Sequence, residues 1–583
     1  MDYATIAKTY EALDGTTKRL EMTQILVELL KATRREDVRK VVYLTRGMVA
    51  PDFEGVEFGV AEKLAVKAIY EATRVSGLDE VQLRVGDLGE VAKHAVEKKA
   101  QRALFSEPLT LDRVFGNLVK IARAEGSGAQ ETRSKLLAEL IHDSSPIEAK
   151  YLCRTVVGKL RLGIADMTIV DALAAAFATK EQRGEVERAY NLCSDLGLVA
   201  EKLASGGIDA LASVTVSAGV PMRAMLCERL SSIPEILEKL GECAFEYKYD
   251  GLRVQAHKSG ADVKLFTRHL ENVTSQFPDV AAYLSKALAV GTAIVEGEIV
   301  PVEPNTGELL PFQVVSRRRG RVHSIDAAAE DYPVHVFLFD CLMAEGKDFT
   351  NEPYPARREA LMAAVRPSDA VTVADQIITS NPAVAEAFFA KSLVAGCEGV
   401  VAKSMAPDSG YKAGSRGWLW IKYKSDYRAE MTDTVDLVVV GAFAGRGKRS
   451  GWYGALLMAA YDPEKDVFET VTKLGTGFND EMLAKIPPML EAHKIAKPAV
   501  RVNSRMPADF WFEPAVVLEV SGAEITLSPI HTCGLGAVRP ESGFAIRFPR
   551  FTGRFREDKG PEDATTASEL KAMYDRQLKK VQG

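Results

Sequence analysis

The hydrophobic pattern of this chain changes twice along its length, and this change limits the possible folds more than any other feature of the sequence. Up to about residue 217, apolar residues recur at three- and four-residue spacing, as in 17–30 and 164–178, which predicts amphipathic helices. From about Pro221, short runs rich in Val, Ile and Phe predict strands with helices between some of them. After about Tyr427 almost every apolar run predicts a strand, and short strands at this spacing are typical of a small barrel.

The chain of 583 residues is long enough to form several hydrophobic cores. We therefore expect a multidomain protein with an all-α domain at 1–217 and an α+β domain at 218–427. An all-β barrel is expected at 428–583, ending in a helix at Ala567–Val581. The content of 47% hydrophobic and 26% charged residues is that of ordinary globular domains.

The charge balance excludes a protein that holds nucleic acid by bulk positive charge. Lys and Arg number 74 against 80 Asp and Glu, so the net charge is −6, and any polyanion must meet a local basic surface. Such surfaces are predicted at Arg317–Arg321, in the loop 445–449 and from Arg547 to Lys559, although each run is also compatible with a solvated loop. The seven cysteines include no C-x-x-C pair, which indicates reduced cysteines rather than a zinc finger. The sequence shows no targeting signal and no membrane-spanning run, so we expect an intracellular protein.

The strongest local motif is the string F-E-Y-K-Y-D-G-L-R at Phe245–Arg253. A predicted strand leads into a D-G turn, with Lys248 just before the turn and Arg253 just after it. A lysine becomes a nucleophile where burial or positive neighbours favour its free amine. Lys248 is therefore a candidate nucleophile, and the alternative is a surface lysine beside a hairpin turn.

Two strand motifs downstream carry paired charges. Glu296 and Glu298, in V-E-G-E-I-V, share one face of a predicted strand, and this face suits a divalent cation or is simply solvated. Lys422 and Lys424, in W-L-W-I-K-Y-K, also share a face. Two ammonium groups there suit a triphosphate, or they keep an edge strand soluble.

Two further motifs are equally open to a functional and a structural interpretation. Glu398 and Lys403 bracket the apolar run of E-G-V-V-A-K, as a functional acid and base or as the ends of a core strand. Phe337 and Phe339 alternate onto one face in F-L-F-D, where they form part of the core or one of them stacks on a base.

These motifs occur in a particular order, and supporting strings lie outside them. The strings are G-K-L-R-L-G-I-A-D at 158–166, P-F-Q-V at 311–314, L-V-V-V-G-A-F-A-G-R-G-K-R at 437–449, K-L-G-T-G-F at 473–478 and R-F-P-R-F-T-G-R-F-R-E-D-K at 547–559. In this order the sequence resembles the covalent nucleotidyltransferases, and most closely the ATP-dependent DNA ligases of the archaeal and eukaryotic replicative type. The similarity extends over essentially the whole chain.

The resemblance implies a phosphodiester-bond-forming enzyme that seals single-strand nicks in duplex DNA during replication, repair, recombination and cell division. Its cofactors would be ATP and Mg²⁺ or Mn²⁺, and its intermediates a lysyl-AMP and a DNA-adenylate. The three predicted domains would be a helical DNA-binding domain, an adenylation (nucleotidyltransferase) domain and an OB-fold domain. The protein would act as a monomer in the cytoplasm, associated with the nucleoid.

The resemblance also assigns roles to residues that match the family motifs. Lys248 would attack the α-phosphorus of ATP, and Glu298 and Glu398 would hold the metal ion. The residues that would contact the nucleotide are Glu246 at the adenine edge, Phe339 stacked on adenine, Arg253, Arg268 and Glu298 at the ribose and phosphates, and Arg416, Lys422, Lys403 and Lys424 at the phosphates. Around Arg268 the chain has T-R-H-L-E-N where the family commonly has S-R-N-x-E-D, so the arginine is kept while the local turn departs from the family pattern.

Two predicted sites lie outside the nucleotide pocket. Gln101, Leu104 and Phe105, in Q-R-A-L-F, resemble the short motif by which archaeal ligases bind a PCNA-type sliding clamp. The alternative is a helix end that packs Leu104 and Phe105 into its own core. Asp558 and Lys559, in R-E-D-K, match the family motif that orients the pyrophosphate leaving group.

Three other classes of protein fit the sequence less well. An NAD-dependent ligase would carry a four-cysteine zinc site and a short nicotinamide-binding segment before the lysine. A GTP-using capping enzyme shares K-x-D-G but lacks a helical domain of this length. A non-catalytic scaffold would have lost some of the motif residues, whereas Lys248, Glu298 and Glu398 are all present.

Overall fold

The structure is a computed structural model of the chain. It describes residues 1–99, 108–302, 309–310, 312–316, 318, 327, 329, 331–424, 434–445, 452–522, 524–538, 540–547 and 549–582. The chain divides into two compact units, Met1–Tyr423 and Lys424–Gly583. The domain boundaries at 217/218 and 427/428 stay predictions, and the two units are described separately.

The first part of unit one is helical, as predicted. Its helices are Tyr3–Asp14, Arg19–Ala32, Val38–Thr45, Glu62–Thr73, Leu78–Val85, Leu88–Glu97, Leu111–Ala122, Ala129–Asp143, Pro146–Val156, Asp166–Phe177, Arg183–Cys193 and Leu196–Gly206. Their apolar faces share one core that runs from Tyr3 to Val214. Within the described ranges, none of the helices has both the length and the apolar character needed to cross a membrane.

A local capping signal marks where the helix Pro146–Val156 begins. Ser145 Oγ accepts a hydrogen bond from Glu148 N, and the Glu148 carboxylate accepts one from Ser145 N at 2.8 Å. This capping box, with Pro146 in the first turn, satisfies backbone donors that the helix itself leaves unpaired. Such a cap stabilises a helix by about 1 kcal/mol.

The second part of unit one is a mixed α/β domain built on two sheets. Its strands are β1 (Leu226–Arg229), β2 (Cys243–Lys248), β3 (Leu252–Ser259), β4 (Asp262–Thr267), β5 (Thr292–Pro301), β6 (Val334–Ala344), β7 (Lys347–Asp348), β8 (Val371–Val373), β9 (Gln376–Thr379), β10 (Gly399–Ser404) and β11 (Arg416–Lys424). Its helices are Ile233–Leu240, Pro278–Ala287, Phe312–Val315, Tyr354–Ala364 and Pro382–Val394. One sheet has the strand order β1-β11-β10-β2-β9, and the other has β4-β3-β5-β6-β7 with β8 on β6.

The D-G turn carries the chain from one sheet to the other. β2 and β3 follow each other in sequence but belong to different sheets, so Lys248 does not lie beside a hairpin turn. Gly251 makes the crossing possible, because a Cβ at this position would lie 2.3 Å from the Ile299 carbonyl oxygen and 2.9 Å from Glu298 Cγ. The turn is therefore packed directly against β5, and it places Lys248 next to Glu298.

Unit two is rich in strands, as predicted. They are β12 (Val435–Ala444), β13 (Tyr453–Asp462), β14 (Val467–Leu474), β15 (Lys494–Ile495), β16 (Val502–Asn503), β17 (Phe510–Phe512), β18 (Val517–Ser521), β19 (Glu524–Ser528), β20 (Gly543–Arg547) and β21 (Arg550–Phe555). The main sheet has the order β15-β17-β12-β13-β14-β16. β12 pairs along one edge with both β17 and β18, and β18 continues to β21, so the sheet curls. A final helix spans Ala567–Gln582, as predicted from the sequence.

The helix Asp480–Glu491 in unit two was not predicted. It contains Pro487 and Pro488, residues that normally end a helix because they lack a backbone donor. Ile486 and Leu490 are buried on its inner face, so tertiary packing supports a helix that local propensity disfavours.

A fully buried ion pair holds the helix Tyr354–Ala364 to β6. Arg357 Nε donates to Asp340 Oδ1 at 2.8 Å, Nη2 donates to Oδ2 at 3.1 Å, and neither side chain is exposed. Arg357 Nη1 also donates to the carbonyl oxygens of Glu352 and Ser409. Loss of either partner would leave a buried charge without compensation.

We expect Arg357→Met to lower the free energy of unfolding of this domain by about 3–5 kcal/mol, because Asp340 would stay charged and buried. Chemical denaturation followed by circular dichroism measures the effect. Arg366→Met is the matched control, since Arg366 is exposed and its replacement should change the free energy of unfolding by less than about 0.5 kcal/mol. Equal losses of unfolding free energy in the two variants would show that the pairing of Arg357 with Asp340 does not hold the domain together.

Candidate active site

Lys248 is the last residue of β2, and its side chain pairs with Glu398, the residue directly before the neighbouring strand β10. Its Nζ lies 2.7 Å from Glu398 Oε2, and 26% of the lysine side chain remains exposed. The backbone N–H of Glu398 donates to the Lys248 carbonyl oxygen at 2.9 Å, and Gly399 pairs with Lys248 across β2 and β10. The K-x-D-G and E-G-V-V-A-K motifs, which are far apart in sequence, therefore meet at one point.

Two further carboxylates surround the lysine. Burial raises the pKa of the Glu298 carboxyl to about 7, and the nearby Glu398 and Asp250 add to this rise while Lys248 and Arg253 oppose it. Burial, followed by the proximity of Glu398, also raises the pKa of Asp250. Burial thus favours the neutral form of both carboxyl groups, and the proximity of Glu398 adds to the effect.

The protonation of Lys248 differs from the sequence-based expectation. Burial alone would lower the pKa of its amine, but Glu398 and Glu298 outweigh burial and the pKa is raised. The structure therefore stabilises the ammonium ion and not the free amine. Removal of the proton needs a change in the local charge.

Phe339 lies among cations on the neighbouring sheet. The guanidinium carbon of Arg253 lies 5.4 Å from the centre of the Phe339 ring, and Lys403 Nζ lies 4.9 Å from it. Trp420 of β11 meets the same ring edge-on at 6.3 Å between centroids. Phe337, on the same strand face, instead stacks on Tyr249 at 3.8 Å. The two phenylalanines of F-L-F-D thus have different surroundings, and Phe339 is the one beside the cations.

Arg253 is held on both sides by the domain core. Its Nη2 donates to Glu296 Oε2 at 2.8 Å, and its Nη1 donates to the Met225 carbonyl oxygen at 2.8 Å. The Tyr411 hydroxyl donates to the same Glu296 oxygen at 2.9 Å. Glu296 and Glu298 share a strand face, as predicted, but Glu296 orients Arg253 whereas Glu298 lies close to Lys248.

Glu246 is almost fully buried in a polar cluster. Lys403 Nζ lies 2.6 Å from its Oε2, and Arg358 Nη1 lies 3.0 Å from its Oε1. Tyr354 and Gln376 also donate to Oε1. Lys403 further donates to the Phe339 carbonyl oxygen at 2.9 Å, which joins this cluster to the Phe339 ring.

The remaining predicted nucleotide contacts lie around these clusters. Arg268 is exposed just after β4 and lines a small cavity together with Arg253. Arg416 is exposed at the start of β11. Strand alternation places Lys422 and Lys424 on the same face of β11 as Trp420, which contacts Phe339.

Asp558 and Lys559 belong to a charged cluster within unit two. Lys559 Nζ donates to Asp436 Oδ2 at 2.7 Å, and Arg556 Nη1 donates to the same oxygen at 2.6 Å. Arg556 also forms a bidentate pair with the exposed Asp558. Lys559 therefore already has a carboxylate partner within its own unit.

Outside the pocket, one sequence prediction stays untested and another is wrong. Gln101, Leu104 and Phe105 lie outside the described residues, so the clamp motif stays a prediction. Arg318, expected in an exposed basic loop, is instead 1% exposed and forms an ion pair with Asp279. Its guanidinium lies over the Phe277 ring at 4.6 Å, so it is part of the domain core.

Sequence reasoning assigned no role to several residues of these clusters. Asp250 could have been found, since it stands inside the K-Y-D-G string. Tyr354, Arg358 and Gln376 carry no motif, and they lie more than 100 residues from Glu246. The one indication of such donors is Glu246 itself, because a buried carboxylate requires hydrogen-bond donors or cations beside it.

The mixed domain, with its two sheets and a partly exposed lysine where they meet, is a nucleotidyltransferase domain. Family profiles match three segments: "DNA ligase N terminus" at residues 2–174, "ATP dependent DNA ligase domain" at 224–424 and "ATP dependent DNA ligase C terminal region" at 449–559. The chain belongs to the ATP-dependent DNA ligase family. It is an enzyme that uses ATP to form phosphodiester bonds and acts on nicked DNA.

Similar proteins agree with this assignment over the whole length. DNA ligase 2 of Thermofilum pendens is 52% identical, over 99% of this chain and 98% of its own. The DNA ligase of Pyrobaculum neutrophilum is 49% identical, over 100% of both chains. A solved structure described as Pmar-Lig_Pre has a TM-score of 0.56 at 16% identity, over 95% of this chain and 99% of that one, and is alike in fold alone.

We expect the Lys248 amine to react slowly with an amine-selective reagent at neutral pH when ATP and metal are absent, and faster as the pH rises. A raised pKa keeps the amine protonated up to a higher pH, so less of the nucleophilic form is present. Glu398→Gln removes the main charge that raises this pKa, and each unit by which the pKa falls gives about tenfold more free amine well below the pKa.

Mass spectrometry of the Lys248 peptide after labelling across a pH series measures this change. Glu359→Gln, an exposed change in the same domain, is the control and should leave the profile unaltered. If Glu398→Gln also left it unaltered, the carboxylate would not govern the lysine.

Proposed function

We propose that this ligase forms its covalent intermediate at Lys248. The observation that carries the proposal is the 2.7 Å contact between Lys248 Nζ and Glu398 Oε2 at the junction of the two sheets. The contact fixes the amine in one position, and the exposed part of the side chain leaves it open to a phosphate. Of the lysines in the family motifs, Lys403 is instead buried against Glu246.

The carboxylates around Lys248 fit a divalent cation. Glu298 and Glu398 would hold Mg²⁺ or Mn²⁺, since hard cations prefer carboxylate oxygens. Burial is the main cause of the raised pKa values of Glu298 and Asp250, and Glu398 contributes to both, so these carboxyl groups lie near one another, as a shared cation requires. Among the described residues no group of three or more potential ligands forms a ready-made metal cage, so nucleotide phosphates and water would complete the coordination. A bound cation would offset the carboxylates and thereby lower the pKa of Lys248.

The reaction then follows three phosphoryl transfers. Lys248 gives up a proton, its nitrogen forms a bond to the α-phosphorus of ATP, and the bond to pyrophosphate breaks. The 5′-phosphate oxygen at the nick next bonds to that phosphorus while the bond to Lys248 breaks. Finally the 3′-hydroxyl loses its proton to water, its oxygen bonds to the 5′-phosphorus and the bond to AMP breaks, which completes the phosphodiester. Such transfers depend chiefly on positioning and on neutralised charge.

The remaining pocket residues position the nucleotide. Phe339 would stack on the adenine, and Glu246 would meet the adenine edge. Arg253 and Arg268 would contact the ribose and phosphates, a role supported by their common cavity. The cations that would hold the phosphates are Arg416, Lys422 and Lys424. Lys403, which the resemblance also assigned to the phosphates, is paired with Glu246 and would instead lie at the adenine edge.

The cellular setting proposed for this activity follows the family. The enzyme would act as a monomer at the nucleoid in DNA replication, repair and recombination and in cell division. Gln101, Leu104 and Phe105 would bind a sliding clamp, a proposal that rests on their sequence alone.

We expect Lys248→Ala to abolish the enzyme–AMP adduct, because the variant lacks the amine that would bond to the α-phosphorus. Sealing of a pre-adenylated nick should be partly retained, since the last transfer uses the 3′-hydroxyl as its nucleophile. Mass spectrometry after incubation with ATP and a nick-sealing assay measure the two outcomes. Lys286→Ala, an exposed lysine of the same domain, should behave like the wild type. A normal adduct in Lys248→Ala would refute the assignment.

We also propose that Lys559 orients the leaving pyrophosphate during the first transfer. Lys559→Ala should slow lysyl-AMP formation by at least about tenfold, or about 1.4 kcal/mol, because a cation at the leaving oxygens offsets charge that develops there. Phosphodiester formation on a pre-adenylated nick should change much less, since that step releases no pyrophosphate.

Single-turnover rates of lysyl-AMP formation and of phosphodiester formation, measured on one preparation, test this role of Lys559. Lys571→Ala, in the terminal helix of the same unit, is the control and should leave both rates unchanged. Because Lys559 is also paired with Asp436, equal losses in both steps would show that it only supports its own unit.

A further inference from the structure

The Glu246 carboxylate is fixed by donors from two separate elements. Its Oε1 accepts from the Tyr354 hydroxyl and from Arg358 Nη1 at 3.0 Å, both on the helix Tyr354–Ala364. The same oxygen accepts from Gln376 Nε2 at 3.2 Å, and Gln376 lies opposite Glu246 where β9 pairs with β2. Tyr354 and Arg358 are four residues apart, so they project from the same face of their helix.

The donors are themselves held in place. Gln376 Nε2 also donates to the Tyr354 hydroxyl oxygen, and Arg358 Nη2 donates to the Ala374 carbonyl oxygen at 2.6 Å. Burial, followed by the charge of Glu246, raises the pKa of Tyr354, so its hydroxyl keeps its proton and donates. The three donors therefore act as one rigid unit on Oε1.

The second carboxylate oxygen of Glu246, Oε2, accepts from fewer donors than Oε1. Among the described residues, Lys403 is the donor to Oε2, at 2.6 Å. A carboxylate offers about four lone-pair positions over its two oxygens, so the crowding at Oε1 leaves acceptor capacity at Oε2. Lys403 also lies 4.9 Å from the centre of the Phe339 ring, so this oxygen is on the side of the proposed base site.

We propose that Tyr354, Arg358 and Gln376 are positioning residues that fix Glu246 as an acceptor and so set a preference for 6-aminopurine over 6-oxopurine nucleotides. The inference rests on the proposed function, in which Glu246 meets the adenine edge. A 6-amino group donates a hydrogen bond to a carboxylate oxygen, whereas a 6-oxo group would place one acceptor against another. If the carboxylate turned away, Lys403 and Arg358 would instead offer donors to a 6-oxo group.

Tyr354→Phe tests the inference, because it removes one hydroxyl and keeps the ring. The rate of enzyme–AMP or enzyme–GMP formation is measured with ATP, GTP and purine riboside triphosphate, which has hydrogen at position 6. We expect kcat/KM for ATP to fall about tenfold, the effect of losing one strong hydrogen bond. The kcat/KM for purine riboside triphosphate should stay within about twofold of the wild-type value. The ratio of kcat/KM for ATP to that for purine riboside triphosphate should therefore fall.

Two comparisons separate positioning from support of the fold. Arg358→Lys should retain more discrimination than Arg358→Ala, because an ammonium still pairs with Glu246. Glu359→Ala, an exposed change on the same helix, should leave all three values unchanged. Losses in equal proportion for the three nucleotides in Tyr354→Phe would overturn the inference. A wild-type enzyme that forms no adduct with ATP would instead overturn the proposed function.

Discussion

The close packing of the D-G turn against β5 is the contact on which the rest of the pocket depends. Because Gly251 has no side chain, the turn reaches the Ile299 carbonyl oxygen, and the chain passes from one sheet to the other within a few residues. Lys248 of the first sheet is thereby placed beside Glu298 of the second. A side chain at Gly251 would force the two sheets apart at the point where the predicted chemistry needs them in contact.

Buried ion pairs keep the pocket in one arrangement. Each of three pairs joins two different secondary-structure elements: Arg357 with Asp340, Lys403 with Glu246, and Arg253 with Glu296. Such pairs add little net stability, since the cost of desolvating both charges offsets much of their attraction. Their value lies in geometry: donors and charges are oriented before the nucleotide enters, so little reorganisation is left for the reaction itself.

Sequence reasoning succeeded where a pattern is local. Apolar spacing predicted the helices Arg19–Ala32 and Asp166–Phe177 closely, and strand alternation placed Glu296 and Glu298 on one face. The order of the family motifs assigned Lys248 and Glu398 to one pocket, and the two side chains are in contact.

Sequence reasoning failed where the outcome depends on distant packing. The helix with Pro487 and Pro488, the burial of Arg318 and the donors on Glu246 all depend on residues that no local pattern connects. The raised pKa of Lys248 was missed for the same reason, since the carboxylates that cause it lie about 50 and 150 residues further along the chain. The predicted roles of the site residues stay predictions.

The pairing of Lys559 with Asp436 sets a threshold for any anion that would recruit this lysine. A chloride or acetate ion carries no more charge than the carboxylate already in contact, so it gains nothing by displacing Asp436. A polyphosphate, with several charges close together, can compete. Under the proposed role, Lys559 would thus not bind the monovalent anions of the cell but would bind multivalent ones. It would pair with Asp436 again once such a ligand departs.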